Sequence, residues 1–377
     1  MKKQMISMRQ IIFLMILFIF GDSAIIGLDT NVGQDAWISL LMSTVFVMPL
    51  IFLYGRIMKL YPEKNIFDIM QEVFKPFIGK ILIILFVWYA LHMSTIVLSI
   101  FCNFIKMTSL TATPKVVIIA AMVLIVLYVV LSSMHNMGRG VVSVLLIICI
   151  TLAITLVLSF GRVQNFENLF PIANHSFKEL SAGAWKILTF PLAETVLFLG
   201  VADDIRQRKN DRPYKVYLYG ILFGSLILLA VVLRNIILLG PDLMENSYFP
   251  TFKAARLVGI KNFLERIEGL ITYAFVIAGI AKLSICLFTA AKGMTKLFGL
   301  TNYKVLAVPL GLLIFAMCPV STASIIEVFE LLKPYQIYAI PFQIIIPLIV
   351  WIGAEITVRK KKKKEGVPTT NNQIALE

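Results

Sequence analysis

Long apolar runs, each about the length of a membrane-spanning helix, dominate the pattern along the chain. A helix rises about 1.5 Å per residue, so about 20 apolar residues cross the ~30 Å hydrocarbon core of a bilayer. Ten runs fit this length: residues 8–30, 35–58, 79–106, 115–133, 140–160, 183–201, 214–239, 264–291, 303–320 and 335–357. The pattern therefore predicts an all-α polytopic membrane protein with about ten transmembrane helices.

Two of the connections have apolar residues at helical spacing beside charged ones. These are residues 65–74, after the second run, and residues 249–258, before the eighth. Such amphipathic stretches are typical of helices that lie on the bilayer surface or cap a vestibule.

Composition and charge agree with a membrane protein. The chain is 59% hydrophobic and 15% charged, whereas soluble domains have roughly 45–50% apolar and about 25% charged residues. The net charge of +14 comes from short basic clusters between apolar runs, so we expect no nucleic-acid partner. Roughly two-thirds of the lysines and arginines fall on the side of the two termini, which predicts that both termini are cytoplasmic.

The predicted organisation is one membrane domain and one tail. Residues 1–358 form the ten-helix domain, with inverted halves at about 8–160 and 183–357. Residues 359–377 form a basic tail that we expect to be disordered, and its lysines and arginines would contact anionic membrane lipids.

Two runs carry helix-breaking residues at corresponding places, five spans apart. The first contains Gly21, Asp22 and Ser23, followed by Ala24, and the sixth contains Pro191 before residues 192–194. Glycine tolerates unwound backbone and proline removes a donor. Matched interruptions predict a 5+5 inverted repeat with discontinuous helices 1 and 6 and a ligand site at mid-membrane. The alternative is an ordinary kink in each helix.

The predicted ligand-binding residues lie at these two interruptions and on the third run. The set is Gly21, Asp22, Ser23, Ala24, Leu192, Ala193, Glu194, Tyr89 and His92. Tyr89 and His92 are weaker candidates, because a polar side chain within a span often only binds a neighbouring helix.

Three ionisable residues fall deep in apolar runs: Asp22, Glu194 and Lys282. Charged groups at this depth are costly and are expected to face the bundle interior with a partner. We therefore expect Lys282 to neutralise Asp22 or Glu194, as a fixed substitute for a bound ion. The alternative is that Lys282 extends toward the membrane interface. The sequence contains no enzymatic, metal or cofactor motif, so neither an enzyme nor a cofactor is predicted.

Several of these motifs occur together in a known family. The string Gly-Gln-Asp-Ala-Trp-Ile at residues 33–38 follows the first interruption, Pro-Leu-Ala-Glu occupies residues 191–194, and Phe-Glu-Asn-Leu-Phe-Pro occupies residues 166–171. With the ten-span layout and the length, the chain resembles the B-subunit (spore permease) family of bacterial spore germination receptors.

The resemblance implies a member of the amino acid/polyamine/organocation transporter superfamily in the inner membrane of a spore. It also implies partnership with an A subunit and a lipoprotein C subunit, and recognition of a nutrient such as an amino acid. One departure is Asp22, where the family usually has small uncharged residues. Two alternatives stay open: a proton-coupled or uncoupled amino-acid permease, and a structural scaffold subunit.

Overall fold

A computed structural model describes residues 5–28, 30–159, 165–207, 211–258, 267–322 and 324–364. Within these residues, ten helical segments are long and apolar enough to cross a membrane. They are Met8–Ile26, Asn31–Leu60, Pro76–Thr108, Lys115–Ser132, Met134–Ser159, Phe177–Asp204, Tyr214–Glu245, Gly269–Leu297, Lys304–Ser321 and Pro341–Lys361, here called spans 1 to 10. The predicted number of spans is confirmed, and the protein is an integral membrane protein.

Several spans consist of more than one helix. Span 1 contains the helices Met8–Phe20 and Ser23–Ile26. Span 2 begins within the 3₁₀ segment Thr30–Asp35 and continues with the helices Ala36–Phe46 and Met48–Leu60. Span 6 contains Phe177–Ile187, the π turn Leu188–Leu192 and the 3₁₀ segment Ala193–Asp204. Span 8 belongs to the helix Ile267–Leu297, and span 10 joins the π turn Pro341–Ile345 to the helix Ile346–Lys364.

Four shorter helical segments lie between the spans: Ile66–Val73, Phe166–Leu169, Pro250–Val258 and Ile325–Tyr338. The predicted helices at 65–74 and 249–258 are confirmed. The helix Ile325–Tyr338 was not predicted, and its end was assigned to the tenth span. Ala339 and Ile340 keep helical dihedral angles between this helix and the π turn at Pro341, so the sequence pattern runs through both elements without a clear boundary.

Burial separates central spans from peripheral ones. In the most apolar part of spans 1 and 6, 78% and 83% of residues are buried inside the protein, against 28% in spans 5 and 9. Large apolar side chains on the peripheral spans, such as Leu124 and Val157, are exposed. In a bilayer these surfaces contact lipid, so the interrupted spans 1 and 6 lie at the centre of the bundle.

An even number of spans places both ends of the membrane domain on one face, here called the terminal face. Next to the N-terminus, Ile6 donates from its backbone N–H to the Asp204 carbonyl (2.8 Å) and accepts from the Arg206 N–H (2.9 Å). Glu72, on the helix Ile66–Val73, accepts hydrogen bonds from Lys361 and Lys64, and these lower the pKa of its carboxyl.

The structure corrects the start of the tail. Residues 359–364 continue the last helix instead of leaving it, and Lys361 lies 2.5 Å from Glu72. Lysine and arginine are good helix formers, so the basic run extends the helix past the membrane boundary. The rest of the expected disordered tail, residues 365–377, lies outside the described residues.

Gly55 provides a test of the packing between spans 2 and 7. A Cβ added there would lie 2.4 Å from the Tyr214 Cα, which is backbone at the start of span 7 and cannot turn aside. We expect Gly55→Ala to lower the thermal unfolding midpoint in detergent, because overpacking costs about 1–3 kcal/mol. A Cβ at Gly140 meets no atom within 4 Å, so Gly140→Ala is the matched control. Equal midpoints for the two variants would contradict the packing.

Candidate functional site

Span 1 opens at Gly21 and Asp22. The helix Met8–Phe20 ends with the Gly21 N–H bonded to the Leu17 carbonyl (3.0 Å), and a new turn begins with Ile25 and Ile26 bonded to the Asp22 carbonyl. A Cβ at Gly21 would lie 3.6 Å from the Ala278 carbonyl oxygen of span 8. The interruption is therefore packed against the middle of span 8, so its backbone is shielded from lipid.

Span 6 opens at Phe190 and Pro191. Proline lacks an N–H and drives the preceding residue out of the helical region, and Phe190 is extended, with φ −142° and ψ 104°. A long 3₁₀ segment, Ala193–Asp204, follows. Mid-helix 3₁₀ structure of this kind often marks a functional hinge. Both predicted interruptions are thus present in the structure.

Lys282 joins the two interruptions. Its Nζ lies 2.8 Å from Asp22 Oδ1 and 2.6 Å from Glu194 Oε2, and all three side chains are completely buried. Lys282 lies near the middle of span 8, and it pairs with both candidate carboxylates. The predicted buried pairing is confirmed, and extension of the ammonium toward the interface is excluded.

The ion triad (Asp22, Glu194 and Lys282) can stay charged inside the bundle because its ammonium and carboxylate groups are in direct contact. A charge removed from water loses several kcal/mol of solvation, which only a well-placed partner can offset. The Lys282 ammonium also lies 4.8 Å from the ring centroids of both Phe18 and Phe190. These rings exclude water and add cation–π attraction. With two carboxylates and one ammonium, the triad carries one formal negative charge when all three groups are ionised.

A second layer of polar groups surrounds Glu194. The Tyr335 hydroxyl donates to Glu194 Oε1 (2.9 Å) and lies 3.0 Å from the Tyr89 hydroxyl. The Gln343 amide donates to the Tyr89 hydroxyl (2.9 Å) and to the Thr189 carbonyl (2.7 Å). Thr189 belongs to the interrupted part of span 6, so Gln343 satisfies a backbone group that the break leaves exposed.

A cavity reaches this layer from the face opposite the terminal face. Its volume is about 250 Å³, and its walls include Gly27, just after the end of span 1, and Phe190, at the interruption of span 6. Tyr335 and Thr189 form part of the lining, as do the lysines Lys186 and Lys333. Phe190 lines the cavity and its ring lies 4.8 Å from the Lys282 ammonium, so the cavity ends close to the ion triad.

Three buried polar atoms at this site have no hydrogen-bond partner within the described part of the chain. They are Asp22 Oδ2, Ser23 Oγ and Gln343 Oε1. Unsatisfied buried polar atoms cost about 1–3 kcal/mol each, so they often mark a place where a further molecule binds. Two of the three can only accept a hydrogen bond. The site therefore suits a molecule that carries hydrogen-bond donors.

The predicted site residues divide into two groups. Gly21, Asp22, Ser23 and Ala24 lie buried at one interruption and Leu192, Ala193 and Glu194 at the other, with Lys282 between them and Tyr89 in the second layer. His92 lies apart: its Nε2 is 2.8 Å from the Tyr338 hydroxyl, and its ring stacks on Trp88. The structure thus places His92 in a helix-to-helix contact.

Four contributors to the site were missed from the sequence: Phe18, Phe190, Tyr335 and Gln343. Gln343 is an amide with apolar residues on both sides, a signal that could have identified it. The tyrosine and the two phenylalanines resemble the many other aromatic residues of the chain.

Sequence comparison identifies relatives of this protein. A family model described as spore germination protein matches residues 5–326. Spore germination protein KB of Bacillus subtilis (strain 168) is 27% identical over 370 residues, covering 97% of this chain and 98% of that protein. The putative spore germination protein YfkT of the same organism is 23% identical over 323 residues, covering 85% and 87%.

Solved structures with low sequence identity share the fold. A manganese transporter mutant of Eremococcus coleocola superposes with a TM-score of 0.63 at 10% identity, covering 97% of this chain and 89% of that one. MhsT in complex with L-phenylalanine gives 0.61 at 12% identity, covering 94% and 100%. The fold is therefore that of the leucine-transporter-like proteins, a 5+5 inverted repeat with discontinuous helices 1 and 6. The family model matches most of the chain, so the chain belongs to the spore germination protein family.

Proposed function

We propose that the protein is the membrane subunit of a nutrient germinant receptor. It binds a small amino acid or a similar nutrient between the interrupted parts of spans 1 and 6, and binding triggers spore germination. The observation that carries the proposal is the Lys282 ammonium held between Asp22 and Glu194, where both helices are open. Movement of either helix changes these contacts, so a ligand that favours one arrangement shifts the population of states.

The chemistry of the site favours an amino acid. An ammonium group could donate to Asp22 Oδ2 and Gln343 Oε1, the two acceptors without a partner among the described residues. A carboxylate would face the cavity, whose lining includes Lys186 and Lys333. MhsT, a protein of the same fold, is known in complex with L-phenylalanine. This likeness supports an amino acid as the class of ligand.

The family supports the cellular context of the proposal. In a germinant receptor, the chain would lie in the spore inner membrane with both termini in the cytoplasm. An A subunit and a lipoprotein C subunit would be its partners. With this orientation, the cavity beside Tyr335 opens to the outer side, from which a nutrient arrives.

An amino-acid permease is the second candidate, since the solved structures of this fold include a manganese transporter. Two assays separate sensing from transport. Spores that depend on this protein are exposed to each of the twenty L-amino acids singly, and uptake of the active compound is measured in vesicles that contain the purified chain. Germination without accumulation in the vesicles supports a receptor. Accumulation at a steady rate by the chain alone would make it a permease.

The ion triad predicts a strong effect of Lys282→Met. This change leaves two carboxylates buried without their cation, and breaking a buried pair costs about 3–5 kcal/mol. We expect loss of the germination response and a lower unfolding midpoint, with a smaller effect for Lys282→Arg. The measurements are the fall in optical density of the spores and the amount of protein in their membranes. Lys178 is exposed, so Lys178→Met is the matched control.

A triple variant separates folding from response. In Asp22→Asn/Glu194→Gln/Lys282→Met the triad carries no charge, so we expect the protein level to recover without recovery of the response. A normal response in Lys282→Met would refute a role for the triad. Recovery of the response in the triple variant would show that the charges are needed only for folding.

Since the proposed ligand enters through this cavity, a larger side chain at position 332 should block its entry. Leu332 lies on the helix Ile325–Tyr338 and lines the cavity. We expect Leu332→Trp to raise the concentration of the active amino acid needed for half-maximal germination by at least about ten-fold, a loss of about 1.4 kcal/mol. On the same helix, Ile337 is 71% exposed and does not line the cavity. A similar response of Leu332→Trp and Ile337→Trp would argue against entry through this cavity.

A further inference from the structure

A large groove lies on the outside of the bundle between spans 2, 7 and 10. Its volume is about 610 Å³, whereas the cavity at the helix interruptions measures about 250 Å³. Its walls are mainly apolar, with Phe52 and Leu53 from span 2 and Ile344 and Leu348 from span 10. Phe52 is 59% exposed and Leu348 is 39% exposed. In a membrane these side chains face hydrocarbon, so an acyl chain is the natural occupant.

The length of the groove corresponds to one leaflet. Pro49 and Lys59 of span 2 both line it, and ten helical residues extend about 15 Å. The hydrocarbon core is about 30 Å thick. The groove therefore runs from near mid-membrane to the terminal face, where Lys59 lies next to the last residue of span 2.

Close helix packing forms the floor of the groove. Gly55 lets span 2 approach the backbone of Tyr214, and the Phe52 ring lies 5.9 Å from the Tyr214 ring. Trp351 of span 10 completes the lining. Because the floor is protein and the open side faces lipid, the occupant must come from the bilayer.

Positive charge is concentrated at the interfacial end. Arg56 lies 2.6 Å from Glu355, which is also 3.9 Å from Arg359. Lys59 is exposed and has no ion-pair partner within the residues that the structure describes. The interfacial end of the groove lining thus carries two cations, Arg56 and Lys59.

We propose that this groove is a binding site for an anionic phospholipid from the leaflet at the terminal face. An acyl chain lies along Phe52, Ile344 and Leu348. The phosphate lies at the interfacial end, near Lys59 and Arg56. This site is separate from the proposed nutrient site, and it does not depend on whether the protein senses or transports.

Native mass spectrometry of the purified full-length chain tests the proposal. The probes are phosphatidylglycerol and phosphatidylcholine with identical acyl chains, added in equal amounts. We expect preferential binding of phosphatidylglycerol. Lys59→Gln should weaken phosphatidylglycerol binding about five-fold, the contribution of one cation near a lipid surface, and leave phosphatidylcholine unchanged. Lys59→Arg should retain the preference.

Leu348→Trp tests the groove itself, because the added bulk should reduce binding of both lipids. Lys178→Gln is the control, since Lys178 is exposed and lines neither the groove nor the cavity. Unfolding midpoints are measured for every variant, and only those that match the unaltered protein are compared. Equal binding of the two lipids, or unchanged binding in Lys59→Gln or Leu348→Trp, would overturn the proposal. Occupation of the groove by a helix of a co-purifying subunit, with no lipid bound, would also overturn it.

Discussion

The structure depends on one buried ion triad. Lys282 holds Asp22 and Glu194 within 2.8 Å, and each of these residues comes from a different span. Without the ammonium, two carboxylates would share a water-free interior, which is among the most costly arrangements in a folded protein. The relative positions of spans 1, 6 and 8 are therefore constrained by charge as well as by packing. The opened backbone at Gly21 and Phe190 is stable only because these spans lie at the centre of the bundle.

A polar chain connects the triad to other parts of the bundle. Glu194 accepts from Tyr335, and Gln343 links Tyr335 and Tyr89 to the backbone of span 6. The Tyr54 hydroxyl in turn donates to the Gln343 carbonyl (2.7 Å). A shift of span 6 would alter hydrogen bonds in spans 2, 3 and 10. A change at the interruptions thus has a physical route to three further spans of the bundle.

Much of this arrangement could be predicted from the sequence, because the membrane makes certain residues conspicuous. Apolar length identified the spans, and the cost of burying charge identified Asp22, Glu194 and Lys282 as partners. The same reasoning could not find Tyr335, because a tyrosine near a membrane surface costs little free energy and is common there. It also misplaced the start of span 10, since the helix Ile325–Tyr338 merges with the next apolar run. His92 was predicted on polarity alone, and polarity does not determine which neighbour a side chain faces.

The covalent attachment of Lys282 has a consequence for the energy source of the protein. A dissolved sodium ion at such a place would come and go with its concentration, and its departure would favour another conformation. A lysine cannot dissociate from the chain, so its charge is present at any ionic strength and under any membrane potential. In the receptor proposed above, occupation of the pocket could then shift the balance between conformations without a sodium gradient.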